Sequence, residues 1–261
     1  MKKWTKKICL CLTCFEFIFF SKHVLADEKG FEQPEEVMAA YVEGFKMQDL
    51  EQMLSVFAIE KYVDHYQLEK AIEVKGYYAR KDYFPNISDY TRELNIELRK
   101  ERLYENIQNQ YLVITESEAA FDLSSIRDYD NDPQKLLDDI FAEDDSVFLN
   151  SMELMGFMKI EESEIYARES VQKELEGLTL YIDAEEKVRP VTAWLRIAGV
   201  DYLMIMDTVC YDGLWYGLEP GGTFARPSGM YYGVAAVDSL IGEKGMDLLY
   251  CSVIEPEGLT E

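Results

Sequence analysis

The sequence predicts an α+β protein, mostly helical in its N-terminal two-thirds, with those helices packed on a C-terminal curved antiparallel sheet. Two observations carry the prediction for the sheet. The run from Tyr202 to Tyr211 is apolar at nearly every position, which is typical of a strand covered on both faces. Asp212 and Gly213 follow it and supply the two positive-φ positions of a tight hairpin turn. With the run from Val191 to Ile197, this predicts three antiparallel strands.

A third observation predicts the helical part. Pro34 suits the first position of a helix, and acidic residues follow it at the positive end of the helix dipole. Val37, Tyr41 and Phe45 then recur on one helical face. Asp49 is placed to cap a second, shorter helix.

These two parts of the chain resemble the nuclear transport factor two-like (SnoaL-like) superfamily of α+β cones. The opening helix, the Asp49-Leu50 step and the short helix ending in Phe57-Ala58 are similar to the start of such domains. Gly213-Leu214-Trp215-Tyr216 is similar to their last strands. The resemblance covers Glu35 to Ala58 and Val191 to Gly222. It implies that a long N-terminal helix lies across a curved antiparallel sheet.

The sequence also predicts how the chain is divided into segments. Residues 1–26 are predicted to be a signal peptide and residues 27–261 a single α+β domain. Within that domain, 27–58 and 177–222 are the cone-like parts, 59–176 is a helical insertion, and 223–261 is a C-terminal extension.

Helix and strand patterns also place elements inside these segments. Ser88 is a fair cap for a long helix through about Gln110, with Arg99 on its solvent side. The spacing of Phe148, Met152, Met155 and Ile160 predicts a further helix. Strand character begins near Leu178.

The first 26 residues have the layout of a secretory leader. A basic head precedes an apolar run, Ile8 to Phe20, and Val24-Leu25-Ala26 satisfies the small-residue rule for cleavage. The run is shorter than the roughly 20 residues of a spanning helix. We therefore expect a secreted or extracytoplasmic protein with no transmembrane span in its mature chain. An uncleaved anchor is the alternative.

The chain is strongly acidic. Its 50 acidic and 26 basic residues give a net charge of −24. Such a charge opposes binding to nucleic acid and to anionic membranes and favours cations or basic partners. Solvated helix faces are the ordinary explanation of charge runs.

Cysteine and histidine usage excludes the common zinc motifs. Cys210 and Cys251 are the cysteines that remain beyond the leader, and they allow either one disulfide or two buried thiols. His65 is the one histidine beyond the leader, so no metal-ligand spacing exists, and no cofactor is predicted.

Asp128, Asp130 and Asp132 place carboxylates at alternate positions, a pattern that hard cations such as Ca²⁺ use. Pro133 stands where a calcium loop has its turn glycine. The alternative is a helix start capped by Asp132 with Pro133 next.

Candidate catalytic residues are few. Asp64 and His65 are neighbours that could act as an acid–base pair, although a histidine among helical tyrosines is more often a packing residue. The chain has no Gly-x-Ser-x-Gly or His-Glu-x-x-His motif. Pro220 to Thr223 lacks the lysine of a phosphate loop and reads as a turn.

Aromatic and methionine side chains of the predicted sheet are the candidate ligand-binding residues. By their spacing, Trp194, Tyr202, Met204 and Met206 share a parity within their strands. Ordinary core packing is the alternative to a ligand cavity. The full set is Trp194, Tyr202, Met204, Met206, Trp215 and Tyr216.

The sequence thus favours an exported, non-catalytic binding or accessory protein. Its partner would be an unknown small apolar ligand or a protein. One alternative is a cone-type enzyme, such as a hydratase or isomerase, with an aromatic pocket. The other is a surface protein-interaction module.

Overall fold

The computed structural model describes residues 28–81, 83–115, 145–240 and 248–256. The helices are α1 (Pro34–Lys46), α2 (Leu50–Ser55), α3 (Glu60–His65), α4 (Leu68–Lys75), α5 (Asp89–Thr115), α6 (Asp145–Asn150), α7 (Glu169–Tyr181), α8 (Gly222–Ala225) and α9 (Val237–Leu240). Short 3₁₀ turns cover Gly76–Lys81 and Ile160–Glu162. The strands are β1 (Glu153–Met158), β2 (Arg189–Ile197), β3 (Val200–Tyr211), β4 (Leu214–Pro220), β5 (Val234–Ala236) and β6 (Val253–Ile254).

These strands form one antiparallel sheet, which confirms the predicted α+β class. The order along the sheet is β4-β3-β2-β1-β6, and β5 also pairs with β3. β2 pairs with β3 in continuous register from Arg189 opposite Thr208 to Ile197 opposite Val200. β4 and β5 therefore share the other edge of β3, with β5 beside its first half and β4 beside its second.

The predicted hairpin turn forms where expected. Tyr211 pairs with Leu214, and the two residues between them have positive φ, 55° at Asp212 and 72° at Gly213. The β2–β3 connection uses the same device, with φ of 49° at Ala198 and 85° at Gly199. Both turns match the right-handed twist of their strands, so they set the register of the central sheet.

Helix α1 begins at Pro34 as predicted and packs on the sheet. The Glu36 carboxylate accepts hydrogen bonds from the backbone N–H groups of Glu32 and Gln33, at 3.0 and 3.1 Å, and so satisfies donors at the helix start. Tyr41 is fully buried and meets the Phe57 ring edge-on, 5.5 Å between centroids. Phe57 in turn packs on Gly217 of β4, where a β-carbon would lie 2.7 Å from the Phe57 ring.

Asp49 caps α2, also as predicted. Its Oδ1 accepts a hydrogen bond from the Gln52 N–H at 2.9 Å. Asp49→Ala should therefore lower the free energy of unfolding by about 1 kcal/mol, because that donor loses its partner. Urea denaturation measures the change. Asp49→Asn retains an acceptor and should stay close to wild type, whereas an unchanged Asp49→Ala protein would contradict the cap.

Two local predictions are wrong. The segment from Phe148 to Ile160 is not one helix, because α6 ends at Asn150 and β1 begins at Glu153. β1 lies between β2 and β6, and these partners decide its conformation. The residues from Leu178 do not start a strand either but complete α7, where the Thr179 hydroxyl donates to the Leu175 carbonyl at 2.7 Å.

The long helix forms as predicted, but one of its faces was misassigned. Ser88 Oγ accepts from the Thr91 N–H at 3.2 Å, and α5 then runs to Thr115. Arg99 does not lie on the solvent side, because only 2% of its surface is exposed. β1 also lies inside the segment 59–176 that was predicted as a helical insertion.

Several predictions concern residues outside the described ranges. These are the leader of residues 1–26 and the candidate calcium ligands Asp128, Asp130 and Asp132. None of the helices among the described residues is both long and apolar enough to span a bilayer.

Candidate functional site

A cleft of about 1040 Å³ is the candidate site. It lies between the end of α4, the middle of α5, α7 and the turn that follows β4. The lining is mainly charged or polar, and tyrosines contribute its aromatic surface. The side chains of Lys75, Arg99, Arg102 and Lys173 supply positive charge, and those of Glu105, Glu174 and Glu219 supply negative charge.

Two glycine turns pack together beside the cleft and on the middle of β3. The Gly221 N–H donates to the Ile205 carbonyl at 2.7 Å, and the Ile205 N–H donates to the Gly233 carbonyl at 2.6 Å. The turns touch so closely that a β-carbon on Gly233 would lie 2.1 Å from the Gly221 α-carbon. Glycine at these positions therefore permits the path of the chain along this wall.

Asp207 lies directly beneath this wall. Its carboxyl group is buried, with 1% of the residue exposed. Oδ2 accepts a hydrogen bond from the Thr223 N–H at 2.7 Å, and Oδ1 has no partner among the described residues. A β-carbon on Gly222 would lie 2.2 Å from Asp207 Cγ, so only glycine fits over the carboxyl group. Burial raises the pKa of Asp207 to about 7.

Three cations that line the cleft make cation–π contacts with tyrosine rings. The Arg99 guanidinium lies 4.4 Å from the centroid of the Tyr62 ring. Arg102 lies 4.8 Å from the centroid of Tyr83, and Lys75 Nζ lies 4.5 Å from that of Tyr181. Contact with a ring face stabilises a cation without covering all its N–H groups.

A buried polar pair ties α5 to α1. The Tyr41 hydroxyl donates to Gln110 Oε1 at 2.7 Å, and neither residue reaches solvent. Burial raises the pKa of Tyr41, so the hydroxyl stays protonated and remains a donor.

The six predicted ligand-binding residues lie elsewhere. Met204, Met206, Trp215 and Tyr216 are buried in the hydrophobic core, and Trp194 and Tyr202 are half-buried against it. None of the six is among the residues that line the cleft. A role of these six residues in ligand binding stays a prediction, and it would concern a site other than the cleft.

The prediction that Trp194 shares a face of the sheet with Tyr202, Met204 and Met206 is wrong. Trp194 pairs with Leu203, whereas Met204 pairs with Ala193. Directly paired residues of antiparallel strands project to the same face of the sheet, and successive residues alternate. Trp194 therefore lies on the opposite face from Tyr202, Met204 and Met206.

The side chains of Asp64 and His65 contact different residues in this structure. Both carboxylate oxygens of Asp64 accept hydrogen bonds from Arg92, at 2.6 and 2.7 Å. The His65 ring stacks on Tyr211 with 4.5 Å between centroids. The two side chains thus have different partners, and neither is among the residues that line the cleft.

Cys210 and Cys251 are both buried and no disulfide joins them, so the disulfide alternative is not the arrangement found. Cys210 lies on β3, and Cys251 lies just before β6. Two strands separate β3 from β6 in the sheet. Three strand spacings are about 14 Å, well beyond the roughly 7 Å limit between the α-carbons of a disulfide.

The sequence gives only partial signs of Asp207 and Arg99, the two buried charged residues at the cleft that it did not predict. Asp207 is the one acidic residue inside an otherwise apolar run, and a charge in a buried strand calls for explanation. Pro220 to Thr223 was predicted to be a turn that leaves a strand, and β4 does end at Pro220, but a short helix begins at Gly222. Nothing local showed that Gly222 covers Asp207. Arg99 lies in a stretch rich in charged residues, between Glu97 and Glu101, so its burial had no sign in the sequence.

Exposed apolar side chains cluster along the chain between α4 and the start of α5. Tyr77, Tyr78, Phe84, Ile87 and Tyr90 are each at least half exposed. The interaction-module alternative would use such residues, and it stays a prediction.

Comparison with known proteins shows little similarity. No family model matches the chain, and no curated protein matches it. A solved structure, a cystatin-like protein from Ruminococcus gnavus ATCC 29149, is similar at 16% identity with a TM-score of 0.44. The match covers 73% of this chain and 41% of that chain, so this chain corresponds to less than half of that protein.

Proposed function

We propose that this is an exported, non-catalytic binding protein whose ligand occupies the cleft between α4, α5, α7 and the turn after β4. One observation carries the proposal: the cleft has room for a small molecule, about 1040 Å³, and a lining of converging charged and aromatic groups. The layout of residues 1–26 supports export.

The lining argues for a polar ligand in place of the apolar ligand that the sequence suggested. Arginine, lysine, glutamate and asparagine side chains line the cleft. An apolar molecule would remove their water without replacing its hydrogen bonds, which costs free energy. Binding is favoured over acid–base catalysis because the two candidate catalytic residues have different partners. Asp64 accepts hydrogen bonds from Arg92, whereas the His65 ring stacks on Tyr211.

A bulky side chain inside the cleft tests the proposal. Glu105 is exposed on α5 and lines the cleft, so Glu105→Trp should fill it without disturbing the core. A panel of polar small molecules is screened by thermal unfolding against wild type and this variant. A ligand at about 100 times its Kd should stabilise wild type by about 2.7 kcal/mol. That stabilisation should be lost in Glu105→Trp.

Glu101→Trp is the matched control. Glu101 is also an exposed glutamate of α5, but it does not line the cleft. It should leave ligand stabilisation at the wild-type value. A ligand that stabilises Glu105→Trp as strongly as wild type would bind outside the cleft, and the proposal would be wrong.

A further inference from the structure

Arg99 is a buried cation at the cleft whose hydrogen bonds are incomplete. One terminal nitrogen donates to the Leu218 carbonyl, and the guanidinium lies over the Tyr62 ring. Its Nε–H has no hydrogen-bond partner among the described residues. Burial opposes the charge, but Tyr83, Tyr62 and Glu219 outweigh it and raise the pKa of Arg99, so the group stays a cation.

No carboxylate among the described residues forms an ion pair with Arg99. Glu219 is near enough to influence it, but the Glu219 Oε1 accepts instead from Asn106 Nδ2 at 3.0 Å. A buried charge without a counterion is destabilising, because it loses its water and gains no partner. Other arginines here do have carboxylates: Arg92 binds Asp64, and Arg196 binds Asp201.

The cleft also reverses the charge balance of the chain. Acidic residues outnumber basic residues in the sequence by 50 to 26, whereas the cleft lining has four lysines and arginines against three glutamates. A local excess of positive charge within an acidic protein favours an anion at that place.

We infer that the ligand of the cleft carries an anionic group, a carboxylate or a phosphoryl group, that binds at Arg99. This inference rests on the proposed binding function and adds the chemical class of the ligand. The planar guanidinium offers N–H groups in a fixed fork that matches either oxyanion. Arg102, one turn further along α5, lines the same cleft and adds positive charge beside it.

The Nε–H resonance of Arg99 in nitrogen-15-labelled wild-type protein tests the inference directly. The protein is titrated separately with citrate and with inorganic phosphate at constant pH and ionic strength. We expect a saturable shift of the Arg99 resonance with at least one anion. A response to citrate alone assigns a carboxylate, and a response to phosphate alone assigns a phosphoryl group.

Three variants locate the anion. Arg99→Lys retains the charge but loses the fork, and it should weaken binding about 10-fold or more. Glu105→Trp, which fills the cleft, should weaken binding at least as much. Arg196→Lys changes an arginine that is paired with Asp201 on the sheet and does not line the cleft, so it should bind as wild type does.

The outcomes separate this inference from the binding function. If neither anion produces a saturable shift, or if the shift persists unchanged in Glu105→Trp, the inference is overturned. A neutral ligand that binds wild type, is blocked by Glu105→Trp and leaves the Arg99 resonance unmoved would overturn it too, while the binding function would stand. The wild-type titration gives these answers even if Arg99→Lys fails to fold.

Discussion

Replacing Asp207 by asparagine should stabilise the protein at pH 8 by several kcal/mol relative to wild type and should weaken the dependence of its stability on pH. The pKa of Asp207 is raised from 3.8 to about 7 in the folded protein, chiefly by burial. Nearby Glu219 and Glu174 raise it further, whereas hydrogen bonds from Thr223 lower it. Above pH 7 the folded protein must therefore hold a buried carboxylate with one unpartnered oxygen.

The direction of the pH effect follows from proton binding. Between about pH 4 and pH 7 the folded state holds a proton on Asp207 that the unfolded chain has released. Binding of this proton contributes its full amount to the free energy of unfolding below the pKa that Asp207 has in the unfolded chain. That contribution is lost as the pH rises through about 7, the pKa of Asp207 in the folded protein. At 1.36 kcal/mol for each pKa unit, the loss is roughly 4 kcal/mol.

Urea denaturation of wild type and Asp207→Asn across pH 4 to 8 measures this difference. The asparagine amide cannot ionise, so the variant should lose less stability than wild type as the pH rises. Asp201→Asn is the control on the same strand, since Asp201 is partly exposed and paired with Arg196 at 2.8 Å. Its profile should parallel that of wild type within about 1 kcal/mol. Parallel profiles for wild type and Asp207→Asn would show that Asp207 does not hold this proton.

Trp215→Ala should cost about 3–5 kcal/mol of unfolding free energy. Trp215 is 8% exposed and belongs to the hydrophobic core. Its backbone also exchanges hydrogen bonds with Phe31, with the Trp215 N–H donating at 2.8 Å and its carbonyl accepting at 2.9 Å. Removing the indole leaves a cavity among residues that the strand ladder holds in place.

Leu214→Ala is the matched control for Trp215→Ala. Leu214 precedes Trp215 on β4 and is 37% exposed. Its truncation should cost about 0.5–1 kcal/mol, since less packed surface is lost. Urea denaturation compares both variants with wild type. If Trp215→Ala were as stable as Leu214→Ala, the tryptophan would line an open space, and the ligand-binding prediction for this residue would gain support.

The parts of the fold that were predictable share a local origin. The Asp212-Gly213 hairpin turn, the first turn of α1 at Pro34 and the cap at Asp49 all formed as expected. Each depends on the φ preference of one or two residues or on a hydrogen bond to a residue close in sequence. Such features do not require knowledge of distant parts of the chain.

The candidate site could not be predicted in this way. The sequence directed attention to the aromatic and methionine side chains of the sheet, because buried strands and ligand cavities use the same residue types. The cleft instead collects residues from α4, α5, α7 and the turn after β4, which are far apart in sequence. Their proximity results from the packing of helices on the sheet.

The class of fold, the two central hairpins and the starts of α1, α2 and α5 were predictable from sequence, since residues close in sequence govern turns and helix ends. The folded structure was needed to show that β1 is a strand, that Arg99 is buried and that Asp207 lies under Gly222. Burial and solvation depend on which remote segments cover a residue. The strand pairing of β1, the charge at the cleft and the raised pKa of Asp207 are therefore consequences of contacts between distant parts of the chain.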